Sequence, residues 1–164
     1  MKKVLLTLAF GSLFAVSCSS VKKAESAQTS RAEFLKMKGD WEITSVNYEK
    51  GYQIKPFDEG ADAQCFVGSH WRLIPNNYSV AYTIKVGGNC PTVTQPIKFE
   101  VTRDNEFKFK KLVADTKAKN VTAGYILQIE KQDTDNFTLV QSVPFEGNMI
   151  KVYYNFVRTG MEQK

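Results

Sequence analysis

Histidine is almost absent from this 164-residue chain: His70 is the only one. Relay catalysis through an imidazole needs an orienting partner and a nucleophile beside it, and neither can be placed near His70, which reads as a solvated strand residue. A lone histidine and three cysteines also make a poor metal site, because zinc wants four ligands. No apolar run reaches the roughly 20 residues of a membrane-spanning helix. No cluster of Arg and Lys interleaved with aromatics marks a nucleic-acid surface, and there is no internal repeat. Acidic residues group only at Asp58, Glu59 and Asp62, in a loop where carboxylates are normally solvated. These absences argue against an enzyme, a resident cofactor, a metal and a nucleic-acid partner.

The first thirty residues have a different composition. Lys2 and Lys3 form a basic start, Val4 to Phe14 an apolar stretch, and Ala15 and Ser17 a small-residue exit, the pattern of an export signal over residues 1–17. Cys18 follows at once. Ala15-Val16-Ser17-Cys18 resembles the bacterial lipoprotein box, in which the cysteine is acylated and becomes the new N-terminus; the alternative is an ordinary secretory signal with an incidental cysteine. Acyl chains such as palmitate anchor stably when several are attached, at about 0.8 kcal/mol per buried methylene. Ser19 rather than Asp after the cysteine resembles the sorting pattern for the outer membrane. Residues 18–30, rich in Ser, Lys, Ala and Gln, read as a solvated tether. With Lys2 and Lys3 removed, the net charge of +5 falls to about +3.

Cys65 and Cys90 remain. In an exported protein an even pair reads as a disulfide, with two free thiols or a metal pair as alternatives. The loop it closes implies about 3.5 kcal/mol in the chain-entropy model.

From residue 31 to residue 160 the chain reads as one domain. Arg31 to Lys38 carries Phe34, Leu35 and Met37 among charges, with Ser30 and Glu33 spaced as a capping box and Gly39 at its end. The pattern predicts a short helix. From Trp41 the period becomes two. Trp41, Ile43 and Ser45 share a face of the first strand; Gly51 to Ala63 is a long loop, predicted to form a lid over the open end. Cys65 to Ile74 follows as the second strand, with Cys65, Val67, Trp71 and Leu73 inward. Further strands alternate through Tyr78 to Val86, Ile97 to Val101, Phe107 to Phe109, Val121 to Ile129, Phe137 to Val143, and Ile150 to Arg158. Their turns lie at Pro75-Asn76-Asn77, Gly87-Gly88-Asn89, Asp104-Asn105, Asp133 to Asn136 and Glu146-Gly147-Asn148. Asparagines 77, 120 and 136 match a glycosylation acceptor pattern but read as turn residues. Eight strands joined in sequence predict an all-β, antiparallel, up-and-down barrel, since closure removes exposed edges. If first and last strands pair, Trp41 and Arg158 meet at one rim, where a guanidinium on an indole contributes roughly 0.5–2 kcal/mol.

Gly39-Asp40-Trp41, Thr134-Asp135-Asn136-Phe137 and Arg158 resemble, in order, the three motifs of the lipocalin group within the calycin superfamily. Phe137 stands where the family has Tyr, and no helix follows the last strand. The closest likeness is to small lipocalin-like bacterial lipoproteins. The resemblance covers roughly residues 34–160. It implies an eight-stranded barrel with Gly39, Trp41 and Arg158 closing one end, and a small hydrophobic ligand such as a fatty acid or other lipid. None of the three motifs identifies that ligand.

The inward aromatics either fill the barrel as core or line a cavity. On the second view polar tips at Ser45, Tyr82, Tyr125, Gln141 and Tyr154, with Trp71 and Phe99, mark a ligand site, because buried hydroxyls and amides need partners. The leading expectation is therefore a lipid-anchored envelope protein that binds or carries a small hydrophobic molecule. The alternative is a filled barrel serving as a structural or protein-interaction module of the outer membrane.

Overall fold

The computed structural model describes residues 31–49, 51–84, 87–114 and 117–160. The export signal, Cys18, the tether, Ser30 and Val86 lie outside these. Residues 31–36 form a helix, α1. Eight strands follow: β1 (Gly39–Asn47), β2 (His70–Ile74), β3 (Ser79–Ile84), β4 (Val93–Val101), β5 (Glu106–Lys111), β6 (Tyr125–Gln132), β7 (Asn136–Phe145) and β8 (Asn148–Gly160). Each pairs antiparallel with its neighbours in sequence, and β1 pairs with β8, closing the barrel. This is the expected architecture, reached for the expected reason: every strand has one apolar row to bury, and closure leaves no strand edge unpaired.

Two tight turns show how local sequence sets register. The β7–β8 connection places Glu146 at φ 46° and Gly147 at φ 81°, two successive left-handed residues whose twist suits a two-residue hairpin. In the β6–β7 turn the Asp133 carboxylate accepts the backbone N–H groups of Asp135 at 2.8 Å and Asn136 at 2.7 Å. Those bonds hold its carboxyl below the usual carboxylate range.

Several boundaries differ from expectation. The second strand starts at His70, not Cys65: residues Ala63–Phe66 form a 3-10 turn capped by Asp62. Val67, expected inside, is 43% exposed. Ser45, also expected inside, faces outward. A bulge between Ile43 and Ser45 inserts one residue, so Val46 takes the inward place at 5% exposure. Ser45 Oγ instead accepts from Asn155 Nδ2 at 3.0 Å on the outer surface of β8. Tyr78 does not join the inward row of β3; it is the left-handed residue (φ 56°) that ends the turn Pro75–Asn77. The sixth strand begins at Tyr125, leaving Val121 and Ala123 in the preceding connection.

Strand directions define two ends. α1 and the turns after β2, β4 and β6 lie at one, the closed end. The long β1–β2 connection, the β3–β4 and β5–β6 connections and the β7–β8 turn lie at the other, the mouth.

Candidate functional site

At the closed end, the Arg158 guanidinium carbon lies 4.2 Å from the centroid of the Trp41 ring. The contact expected from the parity of β1 and β8 is present, and Trp41 pairs in register with Arg158. Arg158 is also a hydrogen-bond hub. It donates from Nη1 to the Lys38 carbonyl at 2.5 Å, from Nη2 to the Lys36 carbonyl at 2.7 Å and from Nε to the Thr134 carbonyl at 2.7 Å. The first two carbonyls belong to the end of α1 and the residues just after it, where backbone acceptors lack helical partners. Trp41 Nε1 donates to the Met37 carbonyl at 2.9 Å. Gly39, at φ 138°, is required by close approach: a Cβ there would sit 2.5 Å from Arg158 Nη1 and 2.8 Å from the Gly160 carbonyl. It admits the guanidinium instead of serving as the helix cap expected of it. Beneath this seal Phe137 stacks on Phe156 at 4.2 Å, and Phe34 of α1 packs on Phe99 at 5.4 Å. Arg158 and Trp41 are thus met by backbone carbonyls and a ring, with the Asp135 carboxylate 3.6 Å from Arg158 Nε.

The mouth is different. Its long loop does not lie over the barrel as a lid; it enters the barrel as a plug. Ile54, Phe57, Ala61, Ala63 and Phe66 are all buried. The Phe57 ring sits among Phe66, Phe109, Tyr125 and Tyr154, with centroids 5.1 to 5.6 Å away. Phe66 reaches Tyr82 and Tyr154 from the same side. The backbone at Phe57 is left-handed, φ 58° and ψ 25°, which costs an L-residue roughly 1–2 kcal/mol. That strain persists because burying the ring outweighs it.

Glu59, from the acidic group expected to be solvated, has a side chain only 7% exposed. Its carboxylate accepts the Tyr82 hydroxyl and lies 2.8 Å from Lys111 Nζ, which also donates to the Phe57 carbonyl at 3.0 Å. The other acid that can be placed, Asp62, caps the 3-10 turn and accepts from Tyr48. Burial pushes the Tyr82 hydroxyl far above the usual phenol range, and the bond to Glu59 pushes it further. Tyr154 is raised mainly by burial. Cys65 and Cys90 form the expected disulfide, with Cα atoms 5.4 Å apart. It ties the plug to the β3–β4 connection, outside the strand ladder.

The residues expected to line a ligand cavity separate into three groups. Ser45 is on the outer surface, as described. Trp71 and Phe99 are core: Trp71 stacks on Tyr82 at 4.6 Å and Phe99 on Phe107 at 5.1 Å. Tyr82, Tyr125, Gln141 and Tyr154 do converge toward the mouth. Their polar tips, however, are met from within the chain: Tyr154 Oη donates to Gln141 Oε1 at 2.9 Å and Tyr82 Oη to Glu59. Among the described residues no buried side-chain N or O lacks a partner. Phe57, Glu59 and Lys111 were missed. Lys111 had a signal, since it continues the inward row Phe107, Phe109; nothing local marked Phe57 or Glu59.

What remains open at the mouth is a cleft of about 290 Å³ between residues 51–56 and the β7–β8 hairpin. Tyr52, Ile54, Pro56, Val143, Phe145 and Ile150 give it apolar walls, and Gln53, Lys55 and Gln141 line it as well. A larger groove of about 650 Å³ crosses the outer face of β4, β5 and β6. Its lysines are already engaged: Lys98 donates to Asn77 and Ser79, Lys108 pairs with Glu106, and Lys110 donates to the Val121 carbonyl. His70 is half-exposed on the outer face, 3.8 Å from a Glu42 carboxylate oxygen. Among the described residues no His, Cys, Asp and Glu cluster could hold a metal ion, and no helix is long and apolar enough to cross a membrane.

No family profile and no curated protein matches the chain. Solved structures do. A complex of bovine odorant binding protein with a selenium-containing odorant is 12% identical, covering 79% of this chain and 74% of that one, with a TM-score of 0.44. The same protein complexed with its natural ligand is 12% identical over 78% and 74%, again at 0.44. A deswapped triple mutant is 13% identical over 75% and 74%, at 0.39.

Proposed function

We propose that this protein is a barrel of the bacterial envelope, lipid-anchored at the outer membrane, that binds a small hydrophobic molecule at its mouth. The observation that carries the reading is the mouth cleft: a concavity with apolar walls that Gln53, Lys55 and Gln141 also line, the combination of apolar surface and a few polar groups usual in a small-molecule site. Its volume is at the low end of such sites, so the cleft as it stands suits a short chain or a single ring rather than a whole lipid. Phe145 and Met149, 44% and 61% exposed, form an apolar rim for entry. The lipoprotein box at residues 15–18 supports the anchor, through acylation of Cys18. A static binding role needs no catalytic group, and none is invoked.

Native mass spectrometry of the purified protein tests the binding role. The expected result is a co-purified apolar molecule, displaced by a fluorescent fatty-acid probe and lost when Phe145→Asp charges the rim. Reproducible absence of ligand and no probe response would reject it. That outcome would favour the second reading, a filled barrel acting as a structural or interaction module. The specific observation behind that alternative is the occupation of the upper barrel by Phe57 and Phe66.

A further inference from the structure

Phe57 and Glu59 together have the chemistry of a small organic acid: one apolar ring and, two residues on, one carboxylate. Both are held by groups of the barrel wall, with Phe66 of the same connection also against the ring. The ring lies against Phe109 of β5, Tyr125 of β6 and Tyr154 of β8. The carboxylate lies on Tyr82 of β3 and Lys111 of β5. We propose that this loop segment is a built-in surrogate ligand, and that the space it fills is a binding site for apolar carboxylates, whose ring or chain replaces Phe57 and whose carboxylate replaces Glu59 on Tyr82 and Lys111. The proposal deepens the binding role given above and rests on it.

Three features support exchange over a permanent core. First, withdrawing the plug leaves a hydroxyl donor and an ammonium without partners at the mouth. The Lys111 side chain is only 20% exposed, and a ligand that covers it without pairing it is penalised; a carboxylate restores the ion pair, whereas a neutral hydrophobe covers the rings and leaves the ammonium unpaired. Second, Phe57 holds a left-handed backbone that its departure relaxes. Gly51 and Gly60 bracket it at φ 100° and 69° with open space around them, while the Cys65–Cys90 disulfide keeps the loop's far end tethered. Third, the residue before Phe57, Pro56, already forms a wall of the open mouth cleft, so a ligand entering there meets the plug directly. The closed plug lowers apparent affinity by the fraction of time it occupies the site.

Isothermal titration of the full-length protein with 4-phenylbutyrate and with its neutral counterpart, 4-phenylbutan-1-ol, tests this. The acid is expected to bind at least about tenfold more tightly than the alcohol, the worth of a charge-assisted bond. Lys111→Met should erase that preference. Phe57→Gly, which removes the competing ring, should tighten both compounds, and Glu59→Gln, which loosens the plug and frees Lys111, should tighten the acid more than the alcohol. The Glu59 variant keeps the test sharp should Lys111→Met fold poorly. Equal binding of acid and alcohol to the unmodified protein, or no gain in Glu59→Gln, overturns the proposal while leaving a neutral-ligand carrier standing. Absence of binding by either compound to any variant overturns it as well, and the co-purified ligand then decides the carrier reading separately.

Discussion

The two ends of this barrel are sealed by opposite strategies. At the closed end a cation meets carbonyl oxygens and an indole face. Two of its carbonyl partners, at residues 36 and 38, lie within a few positions of Trp41 itself, and the third belongs to Thr134 in the β6–β7 turn. At the mouth a cation meets a carboxylate delivered by a loop, and the two residues stand 52 positions apart in the chain. Removing backbone acceptors requires unfolding, whereas removing Glu59 requires only that a loop swing out. The lesson is that equal burial does not mean equal permanence: Trp41 and Phe57 are both buried, but only Phe57 is held in a strained conformation.

The largest expected effect contrasts those two residues. Trp41→Ala should cost about 4 kcal/mol, as large-to-small changes in packed cores do, read from urea denaturation. Phe57→Gly should cost clearly less, about half, because glycine occupies a left-handed backbone without strain and returns part of the lost burial. Equal costs would break the distinction between seal and plug.

Cys65→Ser with Cys90→Ser should lower stability by about 3.5 kcal/mol on the chain-entropy account. More telling is where protection is lost. Hydrogen exchange should accelerate over residues 51–66 before it changes over residues 31–41. Uniform acceleration at both ends would make the disulfide a global staple instead of a tether for the plug.

The smallest effect belongs to Asp133, at the closed-end turn, and it sharpens the comparison through pH. Its folded carboxyl is held below the ordinary range, so its contribution is present above the unfolded value, near 3.9. It is lost as pH falls through the lower folded one. Asp133→Ala should therefore lower the unfolding midpoint slightly at pH 7, with the gap closing in strong acid, and Asp133→Asn should retain most of the wild-type behaviour. A gap that persists at low pH would mean the turn depends on something other than the carboxylate.

Much of the barrel was legible before any coordinates, because a strand with one buried face writes its parity into the sequence. Phe107 and Phe109, or Ile150 through Phe156, could be placed on the inward row by counting. Counting failed where a residue was added: the bulge after Ile43 reversed the facing of Ser45 and brought Val46 inside. It failed again at Cys65 and Val67, where an apolar run next to a strand forms a 3-10 turn instead.

The sequence by itself determined most of the alternating rows and their antiparallel order, since these follow from short-range periodicity, short turns and the need to bury one face; the meeting of Trp41 with Arg158 followed once the first and last strands paired. Only the tertiary structure decided what the mouth contains. A loop carries no periodicity, so nothing near Phe57 and Glu59 in the chain announces that their partners are Tyr82, Lys111 and Tyr154. That pairing is a free-energy balance of ring burial and ion pairing against backbone strain and desolvation, and it exists only once the strands have closed into a ring.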